Sequence, residues 1–290
     1  MPQPKINNQA LELWRSYTKF KAAFLHPNTI KKQYGRWEKV LTAIPPYVYT
    51  ARDLVDWSLH RYSSESTRRL VEALNACYKW GLATQRIKEN PFASFVGTIR
   101  KTAYNRREAF TDRDRDTILT EFHTRDPYFW GYVAFAFRTG ARHEEIRGLE
   151  WSHIGNRTIR FQQAIATGTT EPGPLKTLER RDFPIGRPIS EALAHQKGIH
   201  DRWVFPSREG VPLDSANFRT RHWEYSVKPL AQNARIDWYL PPSHTRHTFI
   251  TLAIRAGVPV TDVAKLVGNS PDTIWKHYAQ ASRDITIPEF

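Results

Sequence analysis

Two arginines and a tyrosine form a set that can act on a phosphodiester. Arg142 lies in Thr139-Gly-Ala-Arg-His-Glu-Glu145, and Arg246 in Leu240-Pro-Pro-Ser-His-Thr-Arg-His-Thr-Phe249. Tyr278 closes Gly268-Asn-Ser-Pro-Asp-Thr-Ile-Trp-Lys-His-Tyr278. Attack on a DNA phosphate must overcome repulsion between the nucleophile and an anion, and charge builds on two non-bridging oxygens. A guanidinium fits this need, because it is always charged and its fork binds two oxygens at once. A preorganised donor of this kind stabilises the transition state by roughly 3–4 kcal/mol. A tyrosine, with a free pKa of about 10, attacks only if its proton is removed or its phenolate is stabilised. Neighbouring arginines supply the second condition. The products would be a phosphotyrosine and a free DNA hydroxyl. The bond energy is kept for resealing, so the chemistry needs no ATP, no metal and no cofactor.

The elements that must position these groups are mostly helices. Ser270-Pro271-Asp272 reads as an N-cap, a proline at the first helical position and an acidic first turn, so Tyr278 falls on a short helix. Apolar spacing predicts a first helix from Asn8 to about Leu25, carrying Leu11, Leu13, Trp14, Tyr17, Phe20 and Phe24. A second starts at Pro27-Asn28-Thr29 and ends at Pro45-Pro46. Thr50 caps a third that runs from Ala51 to about Tyr62. Ser63 or Ser64 caps a fourth, which carries Leu70, Leu74, Cys77, Tyr78 and Trp80 and stops at Gly81 as a left-handed terminator. Thr111-Asp-Arg-Asp114 opens a helical stretch that runs to Trp151, broken at Thr139-Gly140. Thr158–Phe161 and Arg181–Ile185 read as strands on either side of a turn-rich segment that delivers Lys176 near a hairpin tip. Helices resume at Ile189–Gln196 and Ser215–Asn233. The fold class is therefore mainly α with a small antiparallel β-sheet. Residues 1–92 form a helical bundle, 93–109 a linker, 110–278 a catalytic domain and 279–290 a tail.

Charge names the class of partner. The 290 residues hold 43 Lys and Arg against 29 Asp and Glu, a net charge of +14. Residues 1–100 hold 16 of the basic and 7 of the acidic groups. A basic excess concentrated in one lobe is the footprint of a polyanion such as nucleic acid, with general solubility as the bland alternative, and double-stranded DNA is the partner expected. Lys31, Lys32, Arg36, Arg68, Arg69 and Lys79 are the candidates for phosphate contacts. The single cysteine, Cys77, excludes an internal disulfide and a cysteine-rich zinc site. No run has the length of a membrane span and the polar start is not a signal peptide, so a cytoplasmic protein is expected.

These residues match a family. The chain resembles the tyrosine recombinases, or phage-type integrases, specifically over about 135–280 and coarsely over 1–110. Their first arginine stands in Thr-Gly-x-Arg-x-x-Glu-x-x-x-Leu, and Thr139-Gly-Ala-Arg142-His-Glu-Glu145-Ile-Arg-Gly-Leu149 meets every fixed position. Lys176, ahead of Arg180-Arg-Asp-Phe-Pro-Ile185, matches the lysine of the family's hairpin. Arg246-His247-Thr248-Phe249 matches the second arginine, and Val267-Gly268-Asn269 leads to Tyr278 at the family's spacing. The resemblance implies a helical core-binding bundle ahead of the catalytic domain. It also implies that Arg142 and Arg246 clamp the scissile phosphate, that Lys176 protonates the leaving 5′ oxygen and that Tyr278 forms a 3′-phosphotyrosyl link. Glu145 and His247 then orient or buffer the arginine site. A homotetramer on two DNA sites would exchange strands through a Holliday junction, and an accessory directionality factor is a further partner the family allows. With no further N-terminal domain expected, simple paired core sites are the anticipated substrate. Prophage integration, excision of a genomic element and chromosome-dimer resolution stay open as the biological role. An apolar tail after Tyr278 could dock on a neighbouring protomer and gate the tyrosine, with a disordered tail as the alternative.

Two positions depart from the family. Ser243 stands where a histidine is usual, with His244 one step later, and Asn269 replaces a histidine or tryptophan. One step on a helix is about 100°, so His244 need not substitute for its neighbour. Ser243 and Asn269 can donate a hydrogen bond but are not cationic. Other function classes follow from these departures and from the shared chemistry. One is a DNA-binding protein that has lost catalysis, and another is a type IB topoisomerase acting as a monomer. A metal site on His244 and His247 lacks a third ligand pattern, and a protease-like Ser243-His244 pair lacks an acidic partner.

Overall fold

The computed structural model describes residues 6–100, 108–176 and 179–278. The chain divides into two compact units, Met1–Asn105 and Arg106–Phe290. The expected tail at 279–290, and 101–107 of the expected linker, lie outside the described residues.

The first unit contains helices Ile6–Lys21, 27–42, Ala51–Arg61 and Ser64–Ala83. Its local signals are physical caps. Thr50 Oγ1 accepts from the Asp53 amide while the Asp53 carboxylate accepts from the Thr50 amide, a reciprocal capping box. Ser63 Oγ accepts from the Ser66 amide at the next helix start. The helix over 27–42 contains a π turn, Ile30–Tyr34, which carries Lys31 and Lys32. Leu13, Trp14, Tyr17, Trp37, Leu41, Leu54, Leu70, Leu74, Cys77 and Tyr78 fill the core.

Two features depart from the sequence expectation. The first helix ends at Lys21 rather than Leu25, so Phe24 falls beyond it and stands 70% exposed, while Phe20, still in its last turn, is 44% exposed. Phe20 covers Trp80 instead, with ring centroids 5.5 Å apart. Gly81 does not terminate its helix, which continues to Ala83, and Gln85 takes the left-handed conformation at φ 55°. Gly81 is there because a Cβ would meet Leu13 and Ile87 at 3.1 Å. A side chain there would have to push Leu13 or Ile87 aside where the first and fourth helices press together.

The second unit is built around helix Pro127–Thr139. Phe129, Tyr132, Val133, Ala134, Phe135, Ala136 and Phe137 are all buried, so the helix is apolar on every side and must lie inside the unit. Helices Asp112–Arg125, Arg187–Gln196, 215–232 and His244–Arg255 surround it. The break at Asp126-Pro127 is absent from the sequence expectation of one helical run, and it follows from the proline, which has no amide to donate to the preceding turn. The sheet is a two-stranded antiparallel ribbon, β1 (Thr158–Phe161) and β2 (Arg181–Pro184), in the register Ile159 to Phe183 and Phe161 to Arg181. The last three helices, His244–Arg255, Val260–Val267 and Pro271–Tyr278, close a smaller cluster of Ile250, Ile254, Val263, Ala264, Val267, Ile274 and Tyr278. The architecture is thus mainly α with one small antiparallel sheet, as the sequence indicates.

Gly81→Val is expected to destabilise the first unit by about 1–3 kcal/mol, because its branched side chain overpacks the contact with Leu13 and Ile87. Urea unfolding followed by tryptophan fluorescence measures the shift. An unchanged midpoint would show that the two helices can separate at no cost.

Candidate active site

Glu145 organises the site. It is 2% exposed and belongs to the short helix His143–Arg147, for which Arg142 is the N-cap residue. Its Oε2 accepts from the Arg142 amide at 2.9 Å and its Oε1 from Arg142 Nη1 at 2.8 Å. Arg181, at the start of β2, donates to the same carboxylate through Nη2 at 2.6 Å and Nη1 at 3.2 Å. Burial opposes the charge on Glu145. The hydrogen bonds and charges of Arg181, then Arg142, outweigh it and hold the carboxyl below its ordinary value. Arg181 is pinned further by a bond from Nε to the Leu266 carbonyl at 2.8 Å, and it stacks over the Phe161 ring at 4.4 Å.

Two left-handed glycines then brace the arginines crosswise. Gly140, at φ 58°, ends helix Pro127–Thr139, and its carbonyl accepts from Arg246 Nη1 at 2.8 Å. Gly268, at φ 63°, ends helix Val260–Val267, and its carbonyl accepts from Arg142 Nη2 at 2.8 Å. A Cβ at Gly140 would meet Phe249 at 2.6 Å, and one at Gly268 would meet Arg181 Nη1 at 2.9 Å. Backbone conformation and space both demand glycine at these two positions. Each helix end thereby holds the arginine that belongs to the other segment.

The arrangement leaves positive charge in excess. Arg246 Nη2 is buried and finds no acceptor among the described residues. Burial first, then the charges of Arg142 and Arg181, pull the Arg246 pKa down to about 10, against the opposing pull of Glu145 and Tyr278. The group stays protonated at neutral pH, but its charge is under-compensated. An anion with two oxygens would supply the missing acceptor and relieve the repulsion between the arginines.

Tyr278 is 4% exposed and ends helix Pro271–Tyr278, whose start is capped by Ser270 Oγ accepting from the Thr273 amide. Its hydroxyl is hydrogen-bonded to Nδ1 of His247, and the rings lie 5.7 Å apart. His244 turns elsewhere. Its Nδ1 donates to the Glu108 carbonyl at 2.8 Å, and its ring stands edge-on to His247 at 5.0 Å. Ser243 is exposed and makes no side-chain capping bond. Asn269 Oδ1 accepts from the Ser270 amide at 3.1 Å. Lys176 is exposed on the loop between the strands, with no hydrogen bond or ion pair to Arg142, Arg246 or Tyr278 among the described residues.

The structure therefore brings Arg142, Glu145, Arg246, His247 and Tyr278 into one network and leaves Lys176 apart from it. In the first unit, Lys31, Lys32 and Lys79 are exposed. Arg36 lies over Trp37 at 4.8 Å and donates to Ser66 Oγ at 3.4 Å. Arg69 pairs with Glu65 at 2.8 Å. Arg68 sits between Glu65 and Glu72, at 2.7 and 2.5 Å, so its charge is already matched by carboxylates.

Sequence reasoning overlooked Arg181 and Arg147. Strand alternation was the available signal for Arg181, because it stands two residues before the inward Phe183. Arg147 had no such signal. It is buried, donates to the carbonyls of Leu213, Ile165 and Thr169, and ties the Arg142 helix to the loop after β1.

The sequence model of the phage integrase family matches residues 109–284. An integrase from Streptomyces ambofaciens is 26% identical over 245 residues, which cover 76% of this chain and 62% of the relative. This chain thus spans less than two thirds of that protein. Tyrosine recombinase XerD from Halalkalibacterium halodurans is 26% identical over 231 residues, covering 75% of this chain and 71% of the relative. Among solved structures, the Tn1549 transposon integrase in complex with a circular intermediate DNA superposes with a TM-score of 0.79 at 17% identity, covering 93% and 94% of the two chains. A lambda integrase tetramer bound to a Holliday junction gives 0.73 at 16%, covering 96% and 79%. Those two likenesses establish the fold.

Glu145→Gln is expected to destabilise the second unit by about 3 kcal/mol or more, because two arginines lose their buried counter-charge. The depressed carboxyl also sets a pH dependence. Its contribution is complete above the ordinary value of 4.5 and is lost as pH falls through the lower folded-state value. Urea midpoints measured from pH 7 to pH 3 should fall less steeply below 4.5 in the variant than in the unaltered protein. Parallel profiles would refute the assignment.

Proposed function

The chain belongs to the phage integrase family, and from that premise we propose that it is a site-specific DNA recombinase. It cuts and rejoins duplex DNA through a 3′-phosphotyrosyl intermediate and exchanges strands between two sites. The observation that carries the proposal is the cross-braced arginine pair, with an unsatisfied buried Nη2 on Arg246 and the Tyr278 hydroxyl in the same network. Two fixed guanidiniums suit the two non-bridging oxygens of a scissile phosphate.

In this reaction Arg142 and Arg246 clamp the phosphate, and Glu145 holds Arg142 in place. Tyr278 attacks phosphorus. Lys176 protonates the leaving 5′ oxygen, delivered by the loop between β1 and β2 when DNA is bound. The phosphotyrosyl link stores the energy of the broken bond, so the liberated hydroxyl of a second duplex can reseal it. The basic excess of residues 1–100, with Lys31, Lys32, Arg36, Arg69 and Lys79 at its surface, supports backbone contacts to DNA by that unit.

A homotetramer on two DNA sites is the assembly we propose, by likeness to the lambda integrase tetramer bound to a Holliday junction. Forward and reverse strand exchange break and make equivalent bonds. Direction must therefore come from outside the chemistry, which gives an accessory directionality factor a place among the partners.

The test uses a nicked, labelled duplex made from the recombinant joint mapped in cells. Cleavage releases a short fragment, and the protein stays covalently attached. The wild-type protein should give a denaturant-stable adduct, and Tyr278→Phe none. Arg142→Lys and Arg246→Lys should each slow adduct formation by about 10²–10³-fold while DNA binding persists. DNA binding without any adduct would leave a DNA-binding protein. Relaxation of a supercoiled plasmid that lacks the joint would indicate a topoisomerase.

A further inference from the structure

We infer that His247 takes the proton of Tyr278 as the tyrosine attacks, an assignment that rests on the strand-transfer reaction proposed above. His247 Nδ1 is hydrogen-bonded to the atom that must become the nucleophile. The two residues come from different helices, His244–Arg255 and Pro271–Tyr278, which share the apolar cluster of Ile250, Ile254, Val267 and Ile274. Packing sets the contact, rather than the reach of two flexible side chains.

Other polar groups of the same unit have partners of their own. The Glu145 carboxylate is occupied by Arg142 and Arg181. His244 uses Nδ1 on the Glu108 carbonyl. Asn269 Oδ1 accepts from the Ser270 amide. Ser243 is exposed and has no basic nitrogen. Arg246 precedes His247 by one residue on the same helix, and a step of about 100° lets one side chain face the phosphate site while the next faces the tyrosine. Ser243 offers no base, and the imidazole of His247 stands one turn further along the same helix, on the nucleophile itself.

The proton inventory closes. A free phenol has a pKa of about 10 and a free imidazole about 6.5, so at rest the proton stays on tyrosine and the phenol donates to Nδ1. As the Oη–P bond forms, Oη loses its basicity and the proton passes to Nδ1, giving an imidazolium. The P–O bond to the leaving 5′ oxygen breaks, and that oxygen takes its proton from Lys176. In rejoining, the incoming hydroxyl returns a proton to Lys176. The P–Oη bond breaks, and His247 returns its proton to Oη. No net proton is gained or lost over the cycle.

The test measures adduct formation on the nicked duplex by His247→Ala. The rate should fall by about 10²-fold or more, with DNA affinity unchanged. Added imidazole should restore it in proportion to the concentration of free base, because the deleted side chain leaves room beside Oη. A duplex with sulfur in place of the leaving 5′ oxygen separates the two proton transfers, since a thiolate leaves without protonation. That substrate should rescue Lys176→Ala and leave His247→Ala slow. Should His247→Ala lose its fold, judged by circular dichroism, His247→Gln takes the same measurements with a side chain of similar reach and no basic nitrogen. A wild-type rate in the variant, or rescue by sulfur and not by imidazole, would overturn the assignment. Absence of any adduct with the wild-type protein would instead overturn the reaction on which it rests.

Discussion

One buried carboxylate fixes the geometry of the arginine cluster in the second unit. Glu145 meets the backbone and guanidinium of Arg142 and the guanidinium of Arg181 at once, so a single anion orients two cations. Its environment would favour the neutral acid if burial acted alone, and the two arginines reverse that preference. The arrangement still carries one positive charge more than it neutralises, and Arg246 adds another. Local stability is spent in leaving that charge unmatched. The same imbalance favours an anion at this position, because its oxygens would supply the acceptor that Arg246 Nη2 lacks among the described residues. Glycine suits 140 and 268 because both take a left-handed conformation and a Cβ would press on Phe249 and on the Arg181 side chain, respectively.

Much of this was legible in the sequence, and the reasons are local. Thr50, Ser63, Thr111 and Ser270 are caps whose effect depends on residues within one helical turn, and all four start helices where composition places them. The strand pair was legible because alternation reports burial directly. Pattern matching also selected Arg142, Glu145, Arg246 and Tyr278, which the fold gathers into one network. What escaped depends on distant segments. Gly81 looks like a terminator by propensity, yet its role is set by Leu13, nearly seventy residues earlier in the chain. Phe24 follows a helical period that the chain abandons at Lys21. Arg147 finds its acceptors on loops around 165, 169 and 213, which no spacing rule connects to it.

His247 shows a subtler limit. Its place after Arg246 was visible, but a neighbour in sequence is a poor guide to a neighbour in space on a helix. The structure turns it toward the tyrosine, while His244, three residues earlier, is drawn to the Glu108 carbonyl. Residue type alone made the two histidines equivalent, and only the packing of the last three helices separates them.

The crossed glycine carbonyls also bear on when the site comes into being. Arg142 is held by a residue 126 positions later, and Arg246 by one 106 positions earlier. Closures over such separations carry a loop-entropy cost and make these contacts non-local ones, which form slowly. A chain still emerging from the ribosome has Arg142 exposed long before Gly268 exists to hold it. The crossed hold on the two arginines is therefore a property of the finished fold, and a chain that has not yet reached Gly268 cannot hold Arg142 in this way.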